Sequence, residues 1–243
     1  MRTTSLLKIL GALLPAICLG SVGSAEAPPG GRRDAQAALK PYGSLVGKWR
    51  GSGQPERGKI KGAWREEASW AWKLSADDAA LEATIDKGKY LKSVVLHPGP
   101  KPKTYTLAAT LADGSSRTYQ GADNGKKALV LTADGAGDGV RRITLTPLHE
   151  TRLLMKLEGQ DPVNRMFYQL GEVGYTRDGV AFAAGESGPI CIVTEGRGTM
   201  TVSYQGKTYH VCCSGCRDLF KENPEAVLAE AAEREREKAK EAK

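Results

Sequence analysis

The chain has 243 residues, enough for two modest domains with a core each, and no apolar run in it reaches the length of a transmembrane helix. Its formal net charge of +7 invites comparison with proteins that meet anionic partners such as cell-wall polymers or lipid head groups, although lysines scattered over a soluble surface give the same total. No basic helix and no aromatic-basic strand pattern points to nucleic acid.

Residues 1 to 25 read as an export signal. Arg2 and Lys8 form the positive start, ILGALLPAICLG is a short apolar core, and Gly23-Ser24-Ala25 offers small residues for cleavage before Glu26. Cys18 would leave with this peptide, and the formal charge would fall to about +5. Pro15-Ala16-Ile17 lacks the small residue expected ahead of a lipidated cysteine. The expectation is therefore a periplasmic or secreted protein without a lipid anchor.

Residues 26 to 40, EAPPGGRRDAQAALK, are rich in Pro, Gly, Ala and charge and read as a flexible lead-in. From 41 to 178 the texture changes to short alternating segments separated by turn signals such as Lys87-Gly88, Asp113-Gly114, Asn124-Gly125, Asp138-Gly139 and Asp161-Pro162. Between them lie YLKSVVLH, TYTLAATL, SRTYQG, ALVLT, RRITLTP, RLLMKLEG and RMFYQLGEVGYT. This spacing predicts an antiparallel meander, and closing it into a barrel removes the edges an open meander would leave.

Gly47-Lys48-Trp49 at the start of the meander is similar to the first strand of lipocalin and fatty-acid-binding-like (calycin) barrels. In AWREEASWAW, strand parity puts Trp64, Glu66, Ala68, Trp70 and Trp72 on one face. Two readings follow. The tryptophans and Glu66 can line a site for a small apolar ligand, or the tryptophans can plug the barrel with Glu66 near its rim. His97 and His149 have no ligand-spaced neighbour and read as exposed turn residues.

Residues 179 to 187 form a small, Gly-rich linker. TMTVSY and KTYHVC then flank a tight turn at Gln205-Gly206, and Ser214 can open a short helix through Phe220. Asn223-Pro224-Glu225 starts a further helix, with cap, proline and acid in the favoured places. Residues 229 to 243 continue it as a charged tail, polar on every side and expected to be solvated or frayed.

The chemistry concentrates in HVCCSGC, residues 210 to 216. With Cys191 it holds every cysteine of the mature chain: Cys191, Cys212, Cys213 and Cys216. Three readings compete. Thiolates from a loop, a strand end and a helix N-terminus can converge on one tetrahedral ion, with His210 as fourth ligand because parity puts it on the face of Cys212. An even count in an oxidising compartment can instead pair as disulfides. The C-x-x-C of Cys213 and Cys216 can run thiol redox chemistry, although the alternating α/β context of such enzymes is missing.

The segment CIVTEGRGTMTVSYQGKTYHVCCSGCRDLFKENPEAVL resembles the YHS/TRASH family of small treble-clef-like metal-binding modules. The resemblance rests on Cys-x-Val-Thr, Tyr-x-Gly-Lys-x-Tyr, Cys-x3-Cys, a Phe four residues on, and Asn-Pro-Glu. It implies Cys191, Cys212 and Cys216 as ligands and zinc or copper as the ion, and leaves the fourth ligand open between Cys213 and the His210 that parity offers. The combined expectation is a mainly β protein: an N-terminal meander barrel and, over 188 to 228, a small α+β metal module followed by a helix. No nucleophile elbow, H-E-x-x-H or phosphate loop is present, so no enzyme is expected. The expected function is holding or handling a soft metal ion. The rivals are a small-ligand-binding barrel with a structural cysteine module, and a thiol redox protein.

Overall fold

A computed structural model describes residues 30–56, 58–125, 128–135, 137–179 and 188–241. The proposed signal peptide and almost all of the 179–187 linker lie outside these residues. Ten antiparallel strands follow one another as a meander: β1 (Gly47–Gln54), β2 (Trp64–Leu74), β3 (Ala79–Asp86), β4 (Leu91–Pro98), β5 (Thr104–Leu111), β6 (Ser116–Asp123), β7 (Leu129–Ala133), β8 (Arg142–His149), β9 (Arg152–Gln160) and β10 (Phe167–Arg177). Pairing of β1 with β10 closes the barrel.

Alternation explains why these segments close around a core. Along β2 the buried positions are Glu66, Ala68, Trp70 and Trp72, with Arg65, Glu67 and Ser69 outside. Leu81, Leu96, Leu107, Tyr119, Leu129, Leu131, Ile143 and Tyr175 supply much of the rest of the interior. Where the barrel wall carries glycine, a neighbour takes the space. A methyl group on Gly53 would lie 2.1 Å from the Trp64 ring, and one on Gly51 would lie 2.7 Å from that of Tyr175.

The lead-in expected over 26–40 is not flexible from residue 31 onward. Gly31–Leu39 forms helix α1, and Lys40–Leu45 continues as a 3₁₀ turn. The reason is a buried stripe that composition hides: Ala35, Leu39, Tyr42 and Leu45 are each 2% exposed or less, and α1 packs on β3 and β4. The Trp49 indole N–H donates to the Leu45 carbonyl at 2.7 Å, fixing the turn to β1. His97 lies within β4, not in a turn. It is half-buried, with Nδ1 3.5 Å from Asp78, and desolvation lowers its pKa despite that acid. His149 is the last residue of β8.

After the linker come a hairpin, β11 (Met200–Tyr204) and β12 (Lys207–Val211), and helices α2 (Ser214–Glu222) and α3 (Pro224–Glu241). The hairpin turns through Gln205 and Gly206 with φ of 48° and 75°. That is the double left-handed geometry of a primed turn, which Gln adopts at a cost. Asn223 accepts the Ala226 N–H at 3.1 Å and caps α3. The tail is one continuous helix to Glu241, and it is not solvated all round. Val227 and Ala231 are buried, Arg234 donates to the Ile192 carbonyl at 2.5 Å, and Glu230 and Glu233 pair with Arg32 and Arg33 of α1.

Candidate metal centre

The three cysteines on which a metal reading depends arrive from separate elements. Cys191 stands on the loop before the hairpin, where its N–H donates to the Gly196 carbonyl at 2.7 Å and its own carbonyl accepts the Glu195 N–H at 2.9 Å. Cys212 follows the end of β12, and Cys216 is in the first turn of α2. Packing of Phe220 against Tyr204 and Tyr209, with ring centroids 6.4 and 5.4 Å away, seats α2 on the hairpin and so brings these points together.

The Sγ atoms of Cys191, Cys212 and Cys216 all lie within 4.8 Å of one another. Cys212 and Cys216 are 3.5 Å apart. Thiolates about 2.3 Å from a tetrahedral zinc stand about 3.8 Å from each other, so the cluster has the dimensions of a thiolate metal site. It is buried: Cys191 is 1% exposed and Cys216 0%. The four cysteines among the described residues are free, and the Cys212–Cys216 separation is far beyond an S–S bond of about 2.05 Å.

Cys213 sits beside this trio. Its sulfur is 3.9 Å from that of Cys212 and accepts the backbone N–H of Trp72 at 3.3 Å. His210 does not join. The side chains close enough together to share an ion are the three cysteines, while His210 pairs with Thr201 across the hairpin and its carbonyl accepts the Ile192 N–H at 2.9 Å. Parity grouped His210 with Cys212 on the premise that the strand continues. It stops at Val211, and the chain turns into α2, so the face assignment fails at that point. Thr194 has a part that the Cys-x-Val-Thr motif alone does not give. Its hydroxyl lies 3.4 Å from the Cys212 sulfur.

Hydrogen bonds among the sulfurs set the protonation order. The bond from Cys212 pulls Cys191 far below the ordinary thiol value, and a second such bond pulls Cys213 down to about 3. Cys212 and Cys216, bonded first of all to Cys191, are pushed up. Cys191 and Cys213 are thus favoured as thiolates, while Cys212 and Cys216 hold their protons until a cation replaces them.

The module is also joined to the barrel. β1 begins at Gly47 opposite Trp70, so β2 outruns it by the residues from Ala71 to Leu74. The freed rung at Trp72 is met by α2: its N–H reaches Cys213, and its carbonyl lies so close to Gly215 that an added methyl group would be 1.7 Å away. A cleft of about 1400 Å³ among the described residues opens between the barrel rim, α1 and this module, with Cys212 and Cys213 on its wall. These two thiols, 8% and 7% exposed, face the way in, while Cys191 and Cys216 lie deeper.

Trp70 and Trp72 are 4% exposed and Glu66 5%, whereas Trp64 is half-buried. Glu66 is buried two residues from the start of β2, accepting the Trp64 indole N–H at 2.7 Å and the Tyr175 hydroxyl. Both carboxylate oxygens are therefore engaged within the barrel.

Glu195, on the loop after Cys191, ties the module to its surroundings through Lys238 at 2.6 Å, Lys40 at 3.3 Å and Arg234 at 3.7 Å. Lys238 above all holds its carboxyl below the usual 4.5, with Lys40 assisting. A depressed folded value stabilises above the unfolded pKa and is lost as pH falls through the folded one. Acidification through and below the usual carboxylate range is therefore expected to loosen α3 from this loop. Hydrogen exchange of the α3 amides along a pH series would show it, and Glu195→Gln should flatten the profile. The pair energies are small, since Lys238 and Lys40 are exposed.

No protein-family model and no curated protein matches this chain. What fold and site define is a closed ten-stranded antiparallel barrel carrying a small module whose three buried cysteines can hold a metal ion.

Proposed function

We propose that this is an exported, non-enzymatic protein that holds or handles a soft metal ion, zinc or copper(I), through Cys191, Cys212 and Cys216. The observation that carries the reading is the convergence of three buried sulfurs within 4.8 Å from a loop, a strand end and a helix start. Thiolates favour soft ions, and three of them serve copper(I) alone or zinc with a fourth ligand. Cys213 is the group at hand for that fourth place, 3.9 Å from Cys212. The resemblance of residues 191–228 to YHS/TRASH modules supports the same ligands, and the cleft beside Cys212 and Cys213 supplies a way in. The rival role for the barrel, binding a small apolar ligand, is weakened because Glu66 is already satisfied by Trp64 and Tyr175.

Native mass spectrometry of protein purified without chelator tests the proposal. One zinc or copper per chain with all four thiols reduced is the expected result. A metal-free chain lighter by two hydrogens per bridge would overturn it in favour of disulfides.

A further inference from the structure

The end of the barrel opposite the thiol module presents a second surface. In a ten-stranded meander the β1–β2, β3–β4, β5–β6, β7–β8 and β9–β10 loops share one end, away from α1 and α2. Six large hydrophobic side chains are exposed among the described residues, and four of them, Ile60, Val163, Met166 and Tyr168, belong to this end. Ile60 is 89% exposed, Val163 90% and Met166 68%. Single exposed hydrophobics are ordinary, but a cluster on neighbouring hairpin tips is not.

The loops concerned are neighbours on the circumference, because β9, β10, β1, β2, β3 and β4 are consecutive in the sheet. The Gln169 side chain also donates to the Pro55 carbonyl at 2.9 Å, linking the β9–β10 side to the β1–β2 loop. The tips hold their shape by internal bonding. Asp161 accepts the N–H groups of Val163 and Asn164, both at 2.9 Å, and Asn164 accepts that of Met166 at 2.9 Å. On the other loop the Ala63 N–H donates to the Ile60 carbonyl at 3.0 Å. These backbone groups are already partnered, so moving the tips out of water would not orphan them.

Charge gathers on the same side. Around the apolar tips the three loops carry Lys59, Lys61, Lys87, Lys89 and Arg165 against Glu56 and Asp161, a net +3 among the described residues. The other two loops of that end, with Asp113, Asp134 and Asp138 against Arg141, are net −2. Exposed apolar side chains among lysines match the boundary between acyl chains and anionic head groups, where apolar tips enter and ammonium groups stay with phosphate. A protein partner would instead want a continuous complementary face.

We propose that the β1–β2, β3–β4 and β9–β10 loops form a docking surface for an anionic lipid bilayer, with Ile60, Val163 and Met166 as the inserting side chains. The inference is independent of the metal reading. Sedimentation of the full chain with phosphatidylcholine vesicles, with and without phosphatidylglycerol, tests it. Binding is expected only with the anionic lipid, falling at least tenfold in the pair Ile60→Asp and Val163→Asp and weakening steadily with salt. Leu148→Asp, at the opposite end, should bind like the unsubstituted chain. Circular dichroism would confirm that the exposed substitutions leave the fold intact, and the salt series on the unsubstituted protein needs no variant. Equal binding to both vesicles, no binding, or full binding by the tip variant would each overturn the proposal. So would a salt-insensitive dimer abolished by the tip substitutions, which would assign the patch to a second copy.

Discussion

Cys216→Ser is expected to reduce metal affinity by at least a hundredfold while leaving the barrel folded. Cys216 is fully buried at 0% exposure and lies 3.5 Å from Cys212, so no other group can swing into its place from solvent. A serine oxygen is a poor ligand for a soft ion. Loss of groups that merely orient ligands already costs about ten- to a hundredfold, so loss of a ligand should cost more. Cys213→Ser makes the informative control. It replaces the sulfur that accepts the Trp72 N–H with a hydroxyl that can also accept it and leaves the trio intact, so the ion should be retained with a smaller drop in affinity. Competition against a chelator of known affinity would measure both. Equal affinity in Cys216→Ser and the unsubstituted chain would remove this cysteine from the site.

Gly215→Ala is expected to destabilise the protein by about 2 kcal/mol, although alanine is the better helix former by about 1 kcal/mol. Gly215 is the second residue of α2, and its added methyl group would stand 1.7 Å from the Trp72 carbonyl oxygen and 2.8 Å from the carbon behind it. The obstacle is strand backbone and cannot step aside as a side-chain tip would. The helix must lift away, which breaks the Trp72–Cys213 hydrogen bond and opens the seam above Trp70 and Trp72. Denaturant unfolding followed by tryptophan fluorescence would register both changes. An unaltered midpoint would mean that the module does not press on the barrel.

The barrel was legible wherever alternation was strong. The segments around Trp64–Trp72, Thr104–Leu111 and Arg152–Gly159 fall on β2, β5 and β9, because a period of two with one buried face leaves little else to form. β3 was not legible: AALEATID carries alanine and glutamate, poor strand signals, and is a strand because neighbours on both sides pair with it. α1 was hidden for a related reason. Its buried stripe is only Ala35 and Leu39, which becomes meaningful once a barrel end lies beneath it. At the site, placing cysteines on a loop, a strand end and a helix start, together with the resemblance, singled out the three clustered thiols, while His210 was assigned by extending a strand beyond its last residue. The contacts of Thr194 with Cys212 and of Trp72 with Cys213 left no trace, since both reach across more than a dozen residues of chain.

That seam bears on how the chain survives its own synthesis. A closed barrel is safe from stacking onto its copies because every strand has two neighbours, yet here β2 overhangs β1 and leaves a rung open. Helix α2 covers that rung, and it emerges from the ribosome only after the whole barrel. Until it docks, that rung stays open, and a chain stopped before residue 213 would keep it open. The cysteine module is thus joined to the barrel as a cover on the rung that β1 leaves free.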